Sequence, residues 1–218
     1  DAAARVMVAA STEEARPVLQ GVYSDGATMA ATDGFRIHVI PFAMGKANIP
    51  ARTMAEAVKL FSKAEYLKVA SGAGKWFITD GDTTLISQTI EGNFPDWTVI
   101  TPKEHRATVE FQVQALLASL RRVQVIQPAN NVIKLEFTAN GITITGQSEE
   151  TGTAEDVVDA VVTGAPPAVA VNIRFFVQAL EATRRNPVRM HINAATTPLV
   201  IEDGSGWKAI VMPMHLGD

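Results

Sequence analysis

The sequence predicts an α+β fold built from two copies of one domain, each with two helices packed on antiparallel sheets. Short apolar strands recur along the chain with Asp-Gly or Asn-Gly turns between them, whereas helical periodicity appears in only four stretches. The order of helices and strands also repeats, at an offset that grows from about 115 to about 123 residues. The chain has 218 residues, 47% of them apolar, which is enough for two modest cores.

In the first copy, turn residues and apolar spacing locate the elements. Asp25-Gly26 is typical of a hairpin turn, and Pro50 opens a helix in which Met54 and Phe61 lie at helical spacing. The predicted elements are a helix over 2–10, strands over 18–23, 27–32 and 35–40, a helix over 50–63, and strands over 66–70, 75–79 and 84–90. Residues 91–102 contain two prolines and read as a linker, so we predict domains at 1–102 and 103–218.

In the second copy, a strand comes before the first helix. Leu116, Leu117 and Leu120 lie on one side of that helix, and Asn140-Gly141 marks a hairpin. The predicted elements are a strand over 106–111, a helix over 112–123, strands over 132–138, 142–147, 157–163 and 168–171, a helix over 172–185, and strands over 188–193, 198–202 and 207–212.

The two copies match in detail, with one difference at their starts. Residues 25–30 parallel 140–145, and residues 77–81 parallel 200–204. The first copy begins inside its first helix and lacks the leading strand that the second copy has. Because a sheet without that strand leaves backbone groups unpaired, we expect natural sequence to precede Asp1.

Composition excludes several classes of protein. The chain has no cysteine, which rules out a disulfide framework and a thiolate metal site. No apolar run approaches the roughly 20 residues that cross a bilayer. The histidines show no spacing typical of metal ligands; they are His38, His105, His191 and His215. We therefore expect a cytoplasmic protein that uses no cofactor.

The charge is segregated along the chain. The net charge of −4 argues by itself against DNA as a partner, but the four predicted helices carry about +6 and the remainder about −10. Helices that share one face would then attract a phosphate backbone without reading its sequence. Ordinary solvated helices with cations near their C-termini explain the same count equally well. The helix cations are Arg5, Arg52, Lys59, Lys63, Arg121, Arg122, Arg174, Arg184 and Arg185.

Three segments carry a resemblance to a known family. Residues 31–37 read A-T-D-G-F-R-I, residues 90–97 read I-E-G-N-F-P-D-W, and residues 211–216 read V-M-P-M-H-L. They resemble the bacterial sliding clamp, the beta subunit of DNA polymerase III, which carries T-D-G-[HY]-R-[LI], E-G-x-F-P-D-[YFW] and a terminal M-P-[MV]-x-L. Residues 14–22 and 48–52 also fit that family's pattern, so the match runs through both copies.

The resemblance implies the DNA-clamp fold and a non-catalytic processivity factor. In that family a ring with an inner wall of helices surrounds duplex DNA, and an outer wall of sheet encloses the helices. A family subunit has three domains, so this chain would supply the middle and C-terminal ones and would self-associate into a ring when the upstream domain is present. A natural two-domain subunit that forms a trimer is the less favoured alternative. The helix cations would face the DNA, without sequence specificity.

The resemblance also implies a cleft between the two domains that binds short linear motifs of DNA polymerase, clamp-loader subunits and repair proteins. An apolar slot with methionines adapts to different anchors. Phe35 stands where the family usually has His or Tyr, and Gly217 and Asp218 extend past the usual terminal Leu. The cleft residues implied by motif position are Leu19, Thr32, Gly34, Phe35, Arg36, Ile37, Pro95, Ile100, Leu199, Ile210, Met212, Pro213, Met214 and Leu216.

Other interpretations of these residues stay open. Ile210, Met212 and Met214 also fit an ordinary strand core, and Arg36 also fits a structural ion pair. A peptide-binding module that never closes a ring is one rival. Another rival is a phosphate-ester hydrolase that uses Asp33, Asp80, Asp82 and Asp96, although their turn-like settings explain most of these acids without catalysis. Residues 72–75 do not form a phosphate loop, because the first glycine of that motif is absent and Trp76 replaces its Ser or Thr.

Overall fold

Two units make up the chain, Asp1–Asp96 (unit 1) and Trp97–Asp218 (unit 2), and the computed structural model describes residues 1–215. Each unit places helices against antiparallel strands, so the predicted α+β class and the repeat are confirmed. The predicted linker, residues 91–102, spans the boundary between the units. No helix within the described residues is long and apolar enough to cross a membrane.

Unit 1 has two sheets. The first has the strand order β4-β1-β2-β3 and the second has the order β5-β6-β7. Asp25 nucleates the β1–β2 hairpin, because its Oδ1 accepts hydrogen bonds from the amides of Ala27 and Thr28, both at 2.8 Å. The elements are α1 Ala2–Met7, β1 Gly21–Ser24, β2 Thr28–Thr32, β3 Arg36–Pro41, β4 Ala47–Pro50, α2 Ala51–Leu60, β5 Lys68–Gly72, β6 Lys75–Thr79 and β7 Thr84–Gln88.

The helices of unit 1 bury short apolar faces. Val6 of α1 and Met54 and Ala57 of α2 are all less than 5% exposed. Trp76 is the bulkiest buried side chain of β6, at 1% exposed. The core of unit 1 therefore lies where the two helices meet the strands.

Unit 2 has one continuous sheet, in the order β12-β9-β10-β11-β8-β13-β14-β15. The long strand β11 pairs through its first part with β10 and through its last five residues with β8, so β8 connects two halves of the sheet. The elements are α3 Trp97–Ile100, β8 Ala107–Phe111, α4 Val113–Gln124, β9 Val132–Thr138, β10 Gly141–Ser148, β11 Gly152–Gly164, β12 Val169–Asn172, α5 Ile173–Glu181, β13 Val188–Ile192, β14 Leu199–Glu202 and β15 Lys208–Val211.

Both long helices of unit 2 are amphipathic and pack on this sheet. Leu116 and Leu120 of α4, and Phe176 of α5, are fully buried. The Asn172 side chain caps α5 by accepting a hydrogen bond from the Arg174 amide at 3.0 Å. Asn186 Oδ1 accepts from the amide of Val113, at the start of α4, at 3.1 Å. Side-chain acceptors thus hold both helix N-termini, a local one at α5 and a residue distant in sequence at α4.

Several element ends differ from the sequence prediction. Residues 17–19 form a 3₁₀ turn rather than the start of a strand. The α5 helix ends at Glu181, because the Thr183 hydroxyl donates to the Leu180 carbonyl and the Arg184 amide donates to Asp203. These contacts turn the chain away from the helix axis, so Arg184 and Arg185 follow α5 rather than belonging to it.

Candidate partner-binding and DNA-binding residues

Side-chain hydrogen bonds fix the turn between β2 and β3, which contains several of the cleft residues of unit 1. The Thr32 hydroxyl donates to the Arg36 carbonyl at 2.6 Å and accepts from the Gly34 amide at 3.0 Å. Asp33 Oδ1 accepts from the amides of Phe35 and Arg36, at 2.9 and 3.1 Å. Gly34 has a φ of +94°, which other residues rarely adopt. The T-D-G-F-R segment therefore folds into one fixed conformation.

Arg36 fastens this turn to the end of the first helix. Its Nε lies 3.1 Å from Asp33 Oδ2, and its guanidinium donates to the Val8 carbonyl at 2.7 Å. The side chain is only 6% exposed. The structural ion pair considered as an alternative for Arg36 is thus present, and it leaves Arg36 a positioning residue rather than a surface cation.

Phe35 is the projecting member of the same turn, since its side chain is 52% exposed. Its neighbours along the chain are fixed, so the ring is presented with little backbone freedom to lose on binding. Thr32 and Ile37, by contrast, are each 3% exposed and Leu19 is 5% exposed. These three residues contribute to the core, and Phe35 offers apolar surface.

The end of unit 1 is anchored by an aromatic contact that the sequence reasoning missed. Phe94 stacks on Tyr23 of β1 with the ring centroids 4.7 Å apart and the planes within 4°. Pro95 follows directly and is exposed. Side chains alternate between the two faces of a strand, so the aromatic Tyr23 could have indicated that its face of β1 packs against another side chain.

In unit 2, the cleft residues divide into buried and accessible members. Leu199 and Ile210 are at most 1% exposed and belong to the core, whereas Ile100 is 43% exposed. Met212, Pro213 and Met214 are half-buried. The Met214 amide donates to the Ala170 carbonyl at 2.8 Å, which fixes the backbone of this segment on β12. Leu216 lies outside the described residues.

The helix cations are exposed, with one exception. Arg5 is only 3% exposed, and its carbonyl oxygen lies 2.9 Å from His38 Nδ1, so the expectation that Arg5 faces DNA is not supported by its position. The buried residues of α1 are the consecutive Arg5 and Val6, so Arg5 lies on the side of the helix that faces the core. The exposed helix cations are Arg52, Lys59, Lys63, Arg121, Arg122, Arg174, Arg184 and Arg185.

Acidic neighbours hold several of these cations. Lys59 pairs with Glu56 at 3.0 Å, and Arg121 of α4 approaches Glu181 of α5 at 3.5 Å. Arg122 Nε lies 2.5 Å from Asp156 Oδ2, and this hydrogen bond lowers the pKa of Asp156 below its ordinary value. Asp156 is therefore ionised at neutral pH, and a phosphate that binds Arg122 has to compete with it.

Two of the four acids considered for catalysis, Asp33 and Asp80, accept hydrogen bonds within turns. Asp80 Oδ1 accepts from the amides of Asp82 and Thr83, at 3.1 and 2.8 Å, as Asp33 does in its own turn. Among residues 1–215, no three His, Asp or Glu side chains are placed to hold a metal ion. Turn formation accounts for the geometry of Asp33 and Asp80.

Comparisons with known proteins find the same family in both units. Residues 1–96 match the model described as "DNA polymerase III beta subunit, central domain", and residues 98–215 match the one described as "DNA polymerase III beta subunit, C-terminal domain". The beta sliding clamp of Synechococcus elongatus is 26% identical over 230 residues, and that of Escherichia coli K12 is 25% identical over 196. These alignments cover 96% and 85% of this chain.

Solved structures share the fold. The DNA polymerase III subunit beta of Borrelia burgdorferi, in complex with a natural product, has a TM-score of 0.91 at 22% identity over 99% of this chain. A DNA polymerase sliding clamp from Pseudomonas aeruginosa has a TM-score of 0.92 at 20% identity over 99%. The chain spans 60% and 63% of those two chains, and 61% and 54% of the Synechococcus and Escherichia relatives.

Proposed function

Because the chain belongs to the DNA polymerase III beta-subunit family, we propose that it is part of a sliding clamp, a processivity factor that encircles duplex DNA in the cytoplasm. The observation that carries the proposal is the match of two consecutive family models to the two units, in the family's order. Such a factor acts without catalysis, since a closed ring is held on DNA by topology. Its relatives are longer, so ring closure is proposed for the whole protein rather than for these 218 residues.

The proposed DNA contact consists of the exposed helix cations. Arg52 and Lys59 lie on α2, Arg121 and Arg122 lie in the last turn of α4, and Arg174 lies in the first turn of α5. Each exposed guanidinium or ammonium group can exchange its counterion for a phosphate, which requires no base contact. The acids paired with Arg121 and Arg122 weaken this attraction, and weak contacts suit a ring that slides.

Charge reversal on α4 tests the DNA contact. We expect R121E/R122E to weaken binding to a duplex at low salt and to lower the slope of log K against log salt by about 2, since each lost phosphate contact removes about 0.9. Fluorescence anisotropy with labelled duplex measures both quantities. K68E/K75E is the matched control, because it changes the net charge equally on exposed strand positions of unit 1. Equal effects of the two double variants would contradict the assignment to α4.

The proposed partner contact uses the accessible cleft residues of each unit. Phe35 stands on a fixed turn of unit 1, and Met212 and Met214 lie in a backbone segment that β12 holds in unit 2. Aromatic and methionine side chains of this kind suit short segments with aliphatic and aromatic anchors. We propose that segments of DNA polymerase and clamp-loader subunits bind there.

Single truncations test the partner contact. F35A and M214A should each weaken the binding of a fluorescent peptide that carries one leucine and one phenylalanine anchor by at least about 10-fold, which corresponds to about 1.4 kcal/mol. V161A, which removes apolar surface from an even more exposed position on β11, should change the affinity less than about twofold. Anisotropy titrations measure all three. If V161A weakens peptide binding as much as F35A does, the peptide binds apolar surface without selectivity and the assignment of the partner contact to Phe35 and Met214 fails.

A further inference from the structure

A polar pocket of about 220 Å³ lies on the outer face of the unit 2 sheet, and we call it the β9–β10 pocket. Strands β9 and β10, the turn before β9 and the last described residue of the chain form its wall. Ile133, Leu135 and Ile144 alternate with the wall residues along the two strands and are at most 1% exposed, so a packed core lies behind the pocket. The polar residues of the wall are Asn130, Lys134, Thr145, Gln147 and His215.

The wall of the β9–β10 pocket is rich in hydrogen-bond donors. Lys134 supplies an ammonium group and Thr145 supplies a hydroxyl, and the side-chain amides of Asn130 and Gln147 add further N–H groups. None of the described residues that line the pocket is acidic. Several donors around one hollow, with a positive charge among them, suit a carboxylate, because an ionised carboxylate only accepts hydrogen bonds.

Glu136 competes with any such ligand for Lys134. Lys134 Nζ lies 2.7 Å from Glu136 Oε1, and the two side chains are 36% and 47% exposed. An ion pair this exposed is weak, and an ammonium group has three N–H donors. Lys134 can therefore bind a second carboxylate beside Glu136 or in its place. Removing the charge of Glu136 should strengthen the binding of an anion in the pocket.

The β9–β10 pocket adjoins the methionine segment of the proposed partner contact. The Met214 amide donates to the Ala170 carbonyl at 2.8 Å, and Ala170 pairs with Lys134 in the ladder between β12 and β9. Lys134 pairs in turn with Thr145 of β10. Met214 and the pocket thus lie in one row across the sheet, and His215, the residue after Met214, is part of the pocket wall.

This row sets the distance between the two contacts. Neighbouring strands are about 4.8 Å apart, so Lys134, which is two positions away from Met214 in the row, lies about 10 Å from it. An extended peptide advances about 3.3 Å per residue. A side chain three residues away from an anchor that touches Met214 therefore reaches the pocket.

We propose that the β9–β10 pocket binds the carboxylate of an acidic residue in the partner segment, about three residues from the anchor that contacts Met214. The proposal rests on the proposed partner contact and adds a charged subsite to it. The occupant is a peptide rather than a phosphate backbone, because the pocket is continuous with the methionine segment, whereas α4 and its cations lie on the other side of this sheet. The apolar anchors supply affinity, and the carboxylate selects among segments that carry similar anchors.

Matched peptide pairs test this subsite. Fluorescent peptides with one leucine and one phenylalanine anchor carry either Glu or Gln at the third position before the first anchor or after the second. In one of the two pairs, the Glu peptide should bind the 218-residue chain at least about 5-fold more tightly than its Gln partner at low salt. K134Q should reduce this preference to less than about twofold, and E136Q should increase it. K68Q, at an exposed strand position of unit 1, is the matched control and should keep the wild-type preference.

The Gln peptides separate this subsite from the partner contact itself. If the wild-type chain binds neither the Gln nor the Glu peptides, the proposed partner contact is wrong and the subsite fails with it. Equal binding within both pairs overturns the subsite alone. A Glu preference that K134Q retains, or that K68Q also removes, overturns it too, because the preference then comes from another site or from net charge.

Two further measurements complete the test. If K134Q does not fold, E136Q decides, since an unchanged Glu preference in that variant contradicts the competition for Lys134. Duplex binding distinguishes the other possible anion. A loss of duplex affinity in K134Q as large as that in R121E/R122E would assign Lys134 to DNA and overturn the peptide subsite.

Discussion

At the scale of single residues, His38 shows how burial decides a charge. Its side chain is fully buried in β3, and burial lowers its pKa from the ordinary 6.5 to about 4. Its Nδ1 lies 2.9 Å from the Arg5 carbonyl oxygen. Because a carbonyl only accepts hydrogen bonds, Nδ1 carries the proton and the neutral ring donates it. Unit 1 thus contains an uncharged histidine at neutral pH.

The lowered pKa of His38 predicts that the protein loses stability in mild acid. The folded pKa lies below the unfolded one, so the unfolded state binds the proton first as the pH falls from about 6.5 to 4. We expect the free energy of unfolding to fall by about 2 kcal/mol between pH 7 and pH 4.5 because of His38. Urea unfolding at both pH values measures the change, and H38Q should lack this part of it. Q88N, at an exposed strand position without a titratable group, is the control and should keep the wild-type pH dependence.

The sequence predicted the role of acids in turns better than it predicted the burial of cations. Asp-Gly pairs carry their own local geometry, and Asp33 and Asp80 form the turns that their neighbours indicate. Arg5 counted as a surface cation because composition does not reveal which side of a short helix faces the core. Its burial, and that of His38, depends on long-range packing between α1 and β3, which no local pattern encodes.

At the scale of elements, the starts of α2 and α5 are equivalent in the repeat but are held differently. The α5 helix begins after Asn172, whose side chain accepts a hydrogen bond from the Arg174 amide. The α2 helix begins after Pro50, which has no side-chain acceptor to offer. A capping side chain satisfies one of the free amides of a helix's first turn.

The cap predicts a specific stability difference. N172A should destabilise unit 2 by about 1 kcal/mol, because the first turn of α5 loses its acceptor. N172D keeps an acceptor at the same position and should stay within about 0.5 kcal/mol of the wild type. Urea unfolding followed by far-UV circular dichroism measures both variants. Equal losses for N172A and N172D would show that the side chain contributes through something other than capping.

The helices and strands also show which of their ends can be predicted from the sequence. Residues 75–79 and 132–138 form strands with the predicted ends, because turn residues flank them. The strand β11 begins at Gly152, well before the predicted 157, because the backbone of residues 152–159 pairs with β10 although this stretch contains acidic residues. The four-residue helix Trp97–Ile100 lies in the predicted linker, where two prolines had masked it. Backbone pairing with the neighbouring strand, which the side-chain pattern does not show, determined where β11 begins.

At the scale of the whole molecule, the repeated order of helices and strands explains how the charge is distributed along the chain. The net charge of −4 conceals this distribution, since the cations concentrate on α2, α4 and α5 and the connections after them. The sequence could identify this segregation because helices and strands alternate in a repeated order. It could not show that acids such as Glu181 and Asp156 come back to pair with those cations, because these contacts join distant parts of unit 2.

The two units also differ in how completely equivalent strands are paired, and this difference predicts unequal protection. The amides of β5 lie in a three-stranded sheet with an open edge, whereas those of β13 have partners on both sides. Local opening requires less free energy where fewer hydrogen bonds and buried contacts break. We expect the slowest β5 amides to exchange at least about 10-fold faster than the slowest β13 amides, measured by hydrogen-exchange mass spectrometry or NMR on the 218-residue chain.

The central strands of the other half of each unit provide the internal control. β1 lies between β4 and β2, and β9 lies between β12 and β10, so both have two ladder partners. Protection should therefore differ less between β1 and β9 than between β5 and β13. If all of unit 1 exchanges uniformly faster, its whole fold is weaker and the open edge is not the cause. If β5 matches β13, the open edge costs unit 1 no local stability, and the protection of β5 comes from its side-chain packing rather than from ladder pairing.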